Sequence, residues 1–242
     1  MSALIWPDAG LDEVPLPLST VIATAAPIAF VGMAGVGKSA VARRVATALG
    51  VECIDIDAEV SAVRGGQSVS SIFDEIGEDE FRALETAALL DALDGACNGV
   101  RGRARRAVIA TGGGVVERQR NLDALRRQAL VVWLRSSDDV LADRLRSSSV
   151  RRPLLDGDLE ANLTRLRTRR EPLYRALADI EIDVGSATIP QVVEMVLSRL
   201  SAVEDPAQDG EAAQDGEAVA TAVVDEVAGT GAGTGAGTGA PR

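Results

Sequence analysis

The chain has 242 residues, a length that suits one ordinary domain with additional terminal segments. Apolar residues make up 46% of it but aromatic residues only 2%, so the core must be built mainly from Val, Leu, Ile and Ala. The net charge of −11 comes largely from acids after residue 203, and nothing indicates a nucleic-acid surface. Histidine is absent, which excludes Ser-His-Asp catalysis, Cys-His catalysis and His-ligated metal sites.

The two ends of the chain differ in composition from its body. Residues 1–26 contain three prolines and no clear period, so we interpret them as an irregular extension that does not resemble a signal peptide. Residues 204–242 repeat AQDGEA and then alternate Gly, Thr and Ala, which predicts a disordered acidic tail. The predicted domain is therefore residues 27–203. With no run of 18 apolar residues, and with two cysteines in no zinc or redox spacing, we expect a cytoplasmic protein without membrane contact.

Apolar runs and helical patterns alternate along the body. The predicted strands are residues 28–31, 51–57, 107–111, 129–134 and 180–184. The predicted helices are residues 38–49, 70–76, 78–93, 119–127, 138–145, 159–170, 172–177 and 191–200. This alternation predicts an α/β fold in which helices cover both faces of a parallel sheet.

Three of the predicted strands end at residues suited to phosphate or carboxylate chemistry. The first runs into GMAGVGKS at residues 32–39, the second ends at Asp55 and Asp57, and the third ends at Gly112–Gly114. In parallel sheets ligands bind beyond the carboxyl ends of the strands. The sequence therefore predicts one site at this edge of the sheet.

The first of these stretches fits the phosphate-loop pattern G-x-x-x-x-G-K-S/T through Gly32, Gly37, Lys38 and Ser39. Glycines let the loop wrap so that backbone N–H groups face phosphate oxygens, and the following helix adds the positive end of its dipole. Lys38 would reach the terminal phosphates, and the Ser39 hydroxyl would bind Mg²⁺. The short body favours a small phosphotransferase that closes over its substrate rather than a motor ATPase.

Outside the loop, each polar residue taken alone also fits a simpler interpretation. Asp55 and Asp57 fit solvated acids at the end of a strand. Arg82 fits a surface arginine paired with Glu85 three residues later. The three glycines fit a tight turn, so only the combination of motifs carries a function.

Five motifs follow one another along the body: DID at 55–57, FDEIGEDEFRALE at 73–85, GGG at 112–114, RPLL at 152–155 and REPLY at 170–174. In this order and spacing the chain resembles the shikimate kinase family over about residues 27–200. The resemblance implies a three-layer phosphate-loop kinase, monomeric, with five parallel strands in the order 2-3-1-4-5 and a mobile lid. It implies transfer of the γ-phosphate of ATP to the 3-hydroxyl of shikimate, with Mg²⁺, in aromatic amino-acid biosynthesis.

The resemblance also implies roles for residues that bind the acceptor. Arg82 and Arg170 would bind the shikimate carboxylate, and Glu85 would aim Arg82. Asp57 would orient the attacking hydroxyl and act as a catalytic residue. Gly113 would offer a backbone contact where a side chain would collide with the substrate.

By the same resemblance, the other half of the site binds Mg-ATP. Asp55 would hold Mg²⁺ together with Ser39, while Lys38 and Arg152 would be catalytic, Arg152 folding over the phosphates from the lid. The implied ATP-binding residues are Gly35, Val36, Gly37, Lys38, Ser39, Ala40 and Arg152.

The chain departs from the family pattern in two places near the nucleotide. Where the family usually has an arginine seven residues before the RPLL arginine, this chain has Leu145, flanked by Arg144 and Arg146, and a shift of one residue would restore either. The loop 185–190 reads GSATIP and lacks the basic residue that the family often places near adenine.

Two other functions stay open from the sequence. One is a different small-molecule kinase on the same scaffold, of the gluconate or nucleoside monophosphate type. The other is a non-catalytic, nucleotide-binding relative that acts through partners.

Overall fold

The computed structural model describes residues 26–98 and 106–204, so almost all of the predicted extension and tail lies outside the described residues. The strands are β1 Ile28–Val31, β2 Glu52–Asp55, β3 Ala107–Ala110, β4 Leu130–Arg135 and β5 Ile180–Asp183. The helices are α1 Lys38–Leu49, α2 Ile56–Val63, α3 Val69–Asn98, α4 Gln119–Gln128, α5 Asp138–Arg146, α6 Leu159–Leu177 and α7 Ile189–Glu204. Two short 3₁₀ helices cover Val115–Glu117 and Pro153–Leu155.

The strands form one parallel sheet in the order β2-β3-β1-β4-β5, which confirms the predicted order 2-3-1-4-5. Strand β1 lies at the centre, where Ile28 pairs with Val108 of β3 on one side and with Leu130 of β4 on the other. All four residues of β1 are buried, as expected for a strand covered by helices on both faces of a parallel sheet. The carboxyl end of β1 therefore opens directly into the phosphate loop.

The main core combines aliphatic side chains with three aromatic ones, Phe30, Trp133 and Tyr174, among the residues that the structure describes. Trp133 of β4 is 2% exposed and stacks on Tyr174 of α6 with 6.0 Å between ring centroids, so it belongs to the core. Helix α1 contributes the buried residues Val41 and Val45 from one stripe of its surface. In the described residues, no helix combines the length and the apolar character that crossing a bilayer requires.

The predicted strand over residues 51–57 is wrong at its end. Strand β2 stops at Asp55, whose side chain accepts a hydrogen bond from the Asp57 backbone N–H at 3.1 Å and so caps α2. Ile56, the first residue of α2, is fully buried. The apolar alternation that predicts a strand gives way to the N-cap, because Asp at this position satisfies an unpaired N–H of the first helical turn. Asp57 consequently lies on a helix, next to the sheet edge.

Two helical features follow from single residues. Helix α3 is broken at Gly77, with φ 80° and ψ 172°, at the point where the sequence predicts two helices. Helix α6 is continuous through Pro172, so the predictions for 159–170 and 172–177 join into one helix. Pro172 removes one helical hydrogen bond, but Arg170 and Tyr174 are buried on the same face and hold both halves against the core.

Candidate active site

The phosphate loop joins the end of β1 to the start of α1. Its glycines Gly32, Gly35 and Gly37 have φ values of 141°, 83° and 102°, which L side chains rarely adopt. Gly37 caps α1 without a side-chain hydrogen bond, so the first N–H groups of the helix remain available to an anion. The predicted ATP-binding residues Gly35, Val36, Gly37, Lys38, Ser39 and Ala40 all belong to this loop or to the first turn of α1.

Lys38 is folded back onto the loop that precedes it. Its Nζ donates hydrogen bonds to the carbonyl oxygens of Gly32 at 2.8 Å and Met33 at 3.0 Å, and the residue is buried. Burial lowers the pKa of Lys38 to about 8, against the opposing effect of Asp57. The ammonium group thus lies inside the loop, where phosphate oxygens could replace the two carbonyl oxygens as its hydrogen-bond acceptors.

Asp57 lies in the first turn of α2, where its Oδ1 would stand 3.2 Å from a Cβ atom on Gly112. Burial raises its pKa, and the nearby charge of Asp55 raises it further. Lys38, Arg82 and Arg152 act in the opposite direction. A half-buried carboxyl group with a raised pKa is a better proton acceptor at neutral pH than an exposed one.

Each glycine of the triplet at 112–114 approaches a different neighbour. A Cβ atom on Gly112 would stand 2.0 Å from Oε1 of Glu85. A Cβ on Gly113 would stand 3.3 Å from the backbone nitrogen of Ala34 in the phosphate loop and 3.5 Å from Nη1 of Arg170. The triplet therefore lies where the phosphate loop meets the side chains from α3 and α6.

Arg82 of α3 reaches the third glycine. A Cβ on Gly114 would stand 2.2 Å from Cζ of Arg82, and the arginine itself is 8% exposed. Its Nη1 donates to Oε2 of Glu85 at 2.8 Å, so the predicted pairing of these two residues is present. Glu85 is fully buried, so it holds the guanidinium group of Arg82 from the protein interior.

Arg170 of α6 also reaches the glycine triplet. It is 3% exposed, and its Nε and Nη2 donate to the two carboxylate oxygens of Glu117 at 3.1 and 3.3 Å. Glu117 was not among the candidates from the sequence. The only feature of the sequence that marks Glu117 is its position, three residues after the triplet. Hydrophobic periodicity does not reveal an ion pair with a residue of α6.

Tyr174 is a second residue that the sequence-based candidates leave out, although it closes the REPLY motif. It is fully buried, and its hydroxyl donates to the carbonyl oxygen of Gly113. Burial raises the pKa of Tyr174, so the hydroxyl stays protonated and remains a donor. Tyr174 thereby fixes the middle glycine of the triplet to α6.

Arg152 lies at the start of the RPLL motif. Its Nη1 donates to the carbonyl oxygen of Val150 at 2.9 Å. Burial lowers the pKa of Arg152, and the charge of Asp57 acts in the opposite direction. The neighbouring Arg151 is exposed and pairs with Asp74 of α3 and with Asp156. The ion pair with Asp74 therefore joins this segment to α3.

The two arginines that flank Leu145 point to different places. Arg144 donates to the carbonyl oxygens of Gly185 at 3.0 Å and Val36 at 3.5 Å, and so joins the loop 185–190 to the phosphate loop. Arg146 instead pairs with Asp143 at 3.0 Å and with Glu160 on the surface. Of the two, Arg144 is the one that contacts the phosphate loop.

A family model described as shikimate kinase matches residues 34–201 of the chain. The chain belongs to the shikimate kinase family. A shikimate kinase of Bordetella pertussis is 41% identical over 179 residues, which cover 74% of this chain and 80% of that protein. One of Halorhodospira halophila is 40% identical over 173 residues, covering 72% and 92%. A shikimate kinase from Acinetobacter baumannii, solved in complex with shikimate, is 28% identical and has a TM-score of 0.67, covering 78% of this chain and 99% of its own.

Within the shikimate kinase fold, the predicted residues fall into two groups around the glycine triplet. The group predicted to bind the nucleotide comprises the phosphate loop, Asp55 and Arg152. The group predicted to bind the acceptor comprises Asp57, Gly113 and the two buried arginines. The pKa of Lys38 is affected by the charges of Asp55, Asp57, Arg152 and Arg170, which come from both groups. The two groups therefore adjoin within one site.

The donor atoms of the shikimate kinase site fit a magnesium ion that is shared with phosphates. Within residues 26–98 and 106–204, no cluster of three or more His, Cys, Asp or Glu side chains could hold a metal on its own. Mg²⁺ typically uses one or two protein oxygens together with substrate phosphates and water. A Ser39 hydroxyl and an Asp55 carboxylate beside a phosphate loop suit that kind of binding.

Proposed function

We propose that this chain is a shikimate kinase, which transfers the γ-phosphate of ATP to the 3-hydroxyl group of shikimate and releases shikimate 3-phosphate and ADP. The observation that carries the proposal is the convergence of two buried arginines, Arg82 and Arg170, on the glycine triplet beside the phosphate loop. Guanidinium groups bind carboxylates through paired hydrogen bonds. A carboxylate-bearing acceptor, held within reach of a phosphate loop, accounts for both arginines.

The nucleotide half binds and polarises ATP. The N–H groups at the start of α1 bind the phosphates, and Lys38 leaves its carbonyl partners for the terminal phosphate oxygens. Ser39 and Asp55 would hold Mg²⁺, which supplies positive charge to the transferring phosphoryl group when it is bound. Arg152 neutralises the charge that develops on the phosphoryl oxygens in the transition state.

The acceptor half positions one hydroxyl for attack. Arg82 and Arg170 bind the carboxylate and so fix the ring, and Asp57 accepts a hydrogen bond from the attacking 3-hydroxyl. The new bond from this oxygen to the γ-phosphorus forms as the bond to the bridging oxygen of ADP breaks. The hydroxyl proton passes to Asp57, whose raised pKa suits it to take the proton.

The remaining expectations concern the state of the protein. We infer that it acts as a monomer in the cytoplasm, with ATP and shikimate as its substrates and no nucleic acid as a partner. Sedimentation at micromolar concentration tests the oligomeric state directly, and a species of twice the chain mass would contradict the monomer.

The function is tested by ADP release from Mg-ATP with shikimate, with gluconate, with nucleoside monophosphates and with no acceptor. We expect turnover with shikimate alone, and the product should carry phosphate on the 3-oxygen. Arg82→Lys keeps the charge but loses the planar fork, so it should raise the KM for shikimate and leave the KM for ATP unchanged.

Turnover with gluconate or a nucleotide in place of shikimate would contradict the proposal and identify another kinase on this scaffold. ATP binding without turnover on any of these acceptors would contradict it in favour of a binding protein. In both cases the region around Arg144 and the loop 185–190 would be the first to compare with active relatives.

A further inference from the structure

Glu117 ends the 3₁₀ helix that directly follows the glycine triplet. Its side chain is 5% exposed and is surrounded by three arginines. Arg170 contacts it through two nitrogens, Arg169 through Nε at 2.9 Å, and Arg82 through Nε at 3.9 Å. Burying a charge is costly unless it is paired, and here the arginines of the acceptor half supply the pairing. The question is what this buried carboxylate does for those arginines.

The geometry around Arg170 distinguishes its two edges. Glu117 takes the edge formed by Nε and Nη2, at 3.1 and 3.3 Å. The remaining nitrogen, Nη1, lies 3.5 Å from the position of a Cβ atom on Gly113. Since the five N–H groups of a guanidinium lie in one rigid plane, holding one edge fixes the direction of the other. The Nη1 side is thereby aimed at the triplet and the phosphate loop.

Glu117 has a different relation to Arg82. The nearest approach is 3.9 Å, beyond hydrogen-bond distance, and the Nη1 of Arg82 is bound by Glu85 at 2.8 Å. Glu117 therefore does not bridge the two arginines as a bound substrate carboxylate would. Each buried arginine has its own buried acid, Glu85 for Arg82 and Glu117 for Arg170.

We propose that Glu117 is a positioning residue, which holds the Nε–Nη2 edge of Arg170 so that the Nη1 side faces the carboxylate of the acceptor. The proposal rests on the function proposed above and extends it to a residue outside the motifs that mark the family in this sequence. Glu117 does not touch the substrate; it acts through Arg170.

The charges around Glu117 support a holding role rather than a competing one. Arg169, whose side chain is 59% exposed, binds the same Oε1 atom that Arg170 Nε binds. The single negative charge of Glu117 is thus shared by two arginines of α6. Positive charge remains on the Nη1 side of Arg170 for an incoming carboxylate.

The test compares Glu117→Gln and Glu117→Leu with Glu171→Gln. Glu171 is the matched control, since it also pairs with two arginines of α6, Arg167 at 3.2 Å and Arg175 at 2.7 Å, but on another face. Each variant is assayed for kcat and for both KM values. Calorimetry then compares the binding of shikimate with that of its methyl ester, which lacks the negative charge.

We expect Glu117→Leu to raise the KM for shikimate about tenfold or more, since it removes both charged hydrogen bonds to Arg170. The KM for ATP and the affinity for the methyl ester should stay within about twofold of the unmodified protein, because neither depends on the aim of Arg170. Glu117→Gln should lose less, since its amide oxygen still accepts one of these hydrogen bonds. Glu171→Gln should behave like the unmodified chain.

A KM for shikimate that is unchanged or lower in Glu117→Gln would overturn the proposal, and a lower value would mean that Glu117 competes with the substrate. An equal loss of affinity for the acid and the ester would also overturn it, because that pattern indicates general damage to the site. If Glu117→Leu does not fold, Glu117→Gln decides the question alone. An unmodified chain that neither binds nor phosphorylates shikimate contradicts the proposed function itself, before any variant is compared.

Discussion

Arg82 lies so close to Gly114 that a Cβ atom on the glycine would stand 2.2 Å from the centre of the guanidinium group. The backbone of Gly114 is unstrained, with a φ of −94° that any residue adopts. Glycine is therefore required here by the space that Arg82 occupies, and the conformation of the turn does not demand it. The buried position of Arg82 thus depends on the absence of a side chain at Gly114.

Gly114→Ala should displace Arg82 from its place beside the triplet and raise the KM for shikimate about tenfold or more, through the loss of a charged hydrogen bond to the acceptor. Steady-state kinetics with varied shikimate measure the effect. Gly95→Ala is the control, since a Cβ at this helical position would meet no atom within 4 Å apart from the helix's own adjoining backbone and the two neighbouring residues. It should leave the kinetics unchanged, and a normal KM in Gly114→Ala would show that Arg82 does not bind the acceptor.

Arg144→Ala should raise the KM for ATP, because Arg144 ties the loop 185–190 to the phosphate loop through hydrogen bonds to Gly185 and Val36. We expect an increase of about threefold or more, in line with the loss of one or two hydrogen bonds. Arg146→Ala serves as the comparison, since its surface ion pairs contribute little. Equal effects of the two substitutions on the KM for ATP would refute the assignment of Arg144 to the nucleotide side.

The affinity for ATP should fall as the pH rises through about 8, the pKa to which burial lowers Lys38. Below this pH the lysine is charged and binds phosphate; above it, binding must draw a proton back onto the amine, so the dissociation constant rises toward tenfold per pH unit. Titration with a non-hydrolysable ATP analogue from about pH 7 to pH 9.5 measures this. Lys38→Arg stays charged over that range, so any dissociation constant that it retains should not change with pH. A flat profile for the unmodified chain would contradict the prediction.

Asp57→Asn should reduce kcat by about 10²- to 10⁴-fold, the usual contribution of a positioned proton acceptor. It should also leave the melting temperature at pH 7 equal or higher. Burial and Asp55 raise the pKa of folded Asp57 above 3.8, so its ionisation works against folding, and this unfavourable contribution grows as the pH rises through the raised pKa. The gain in melting temperature should shrink toward pH 4, where the carboxyl group is protonated. Retained turnover would show that Asp57 is not needed for the proton.

Much of the fold can be predicted from the sequence because apolar runs, glycines and caps act locally. The strand order comes from the resemblance, and the break at Gly77 is visible as a glycine between two helical patterns. The end of β2 is misjudged because Ile56 continues the apolar alternation while Asp55 caps a helix, a competition that only the tertiary burial of Ile56 decides.

The residues of the site that belong to motifs can be predicted from the sequence, but the residues that hold them in position cannot. Lys38, Asp57 and Arg82 each belong to a motif whose spacing is visible along the chain. Glu117 and Tyr174 act through contacts with residues more than 50 positions away, Arg170 and Gly113 respectively. Such contacts depend on how α6 packs against the turn after β3, and no local pattern encodes that packing.

The phosphate loop holds a cation of its own, since Nζ of Lys38 donates hydrogen bonds to the carbonyl oxygens of Gly32 and Met33. The entropy lost in ordering such a loop, about 1–2 kcal/mol for each residue, is then part of the cost of folding rather than of binding. ATP binding becomes an exchange of oxygen acceptors around a fixed ammonium group. The loop should therefore also accept small tetrahedral oxyanions such as free phosphate, and these would act as competitors of ATP alone and leave the acceptor half undisturbed.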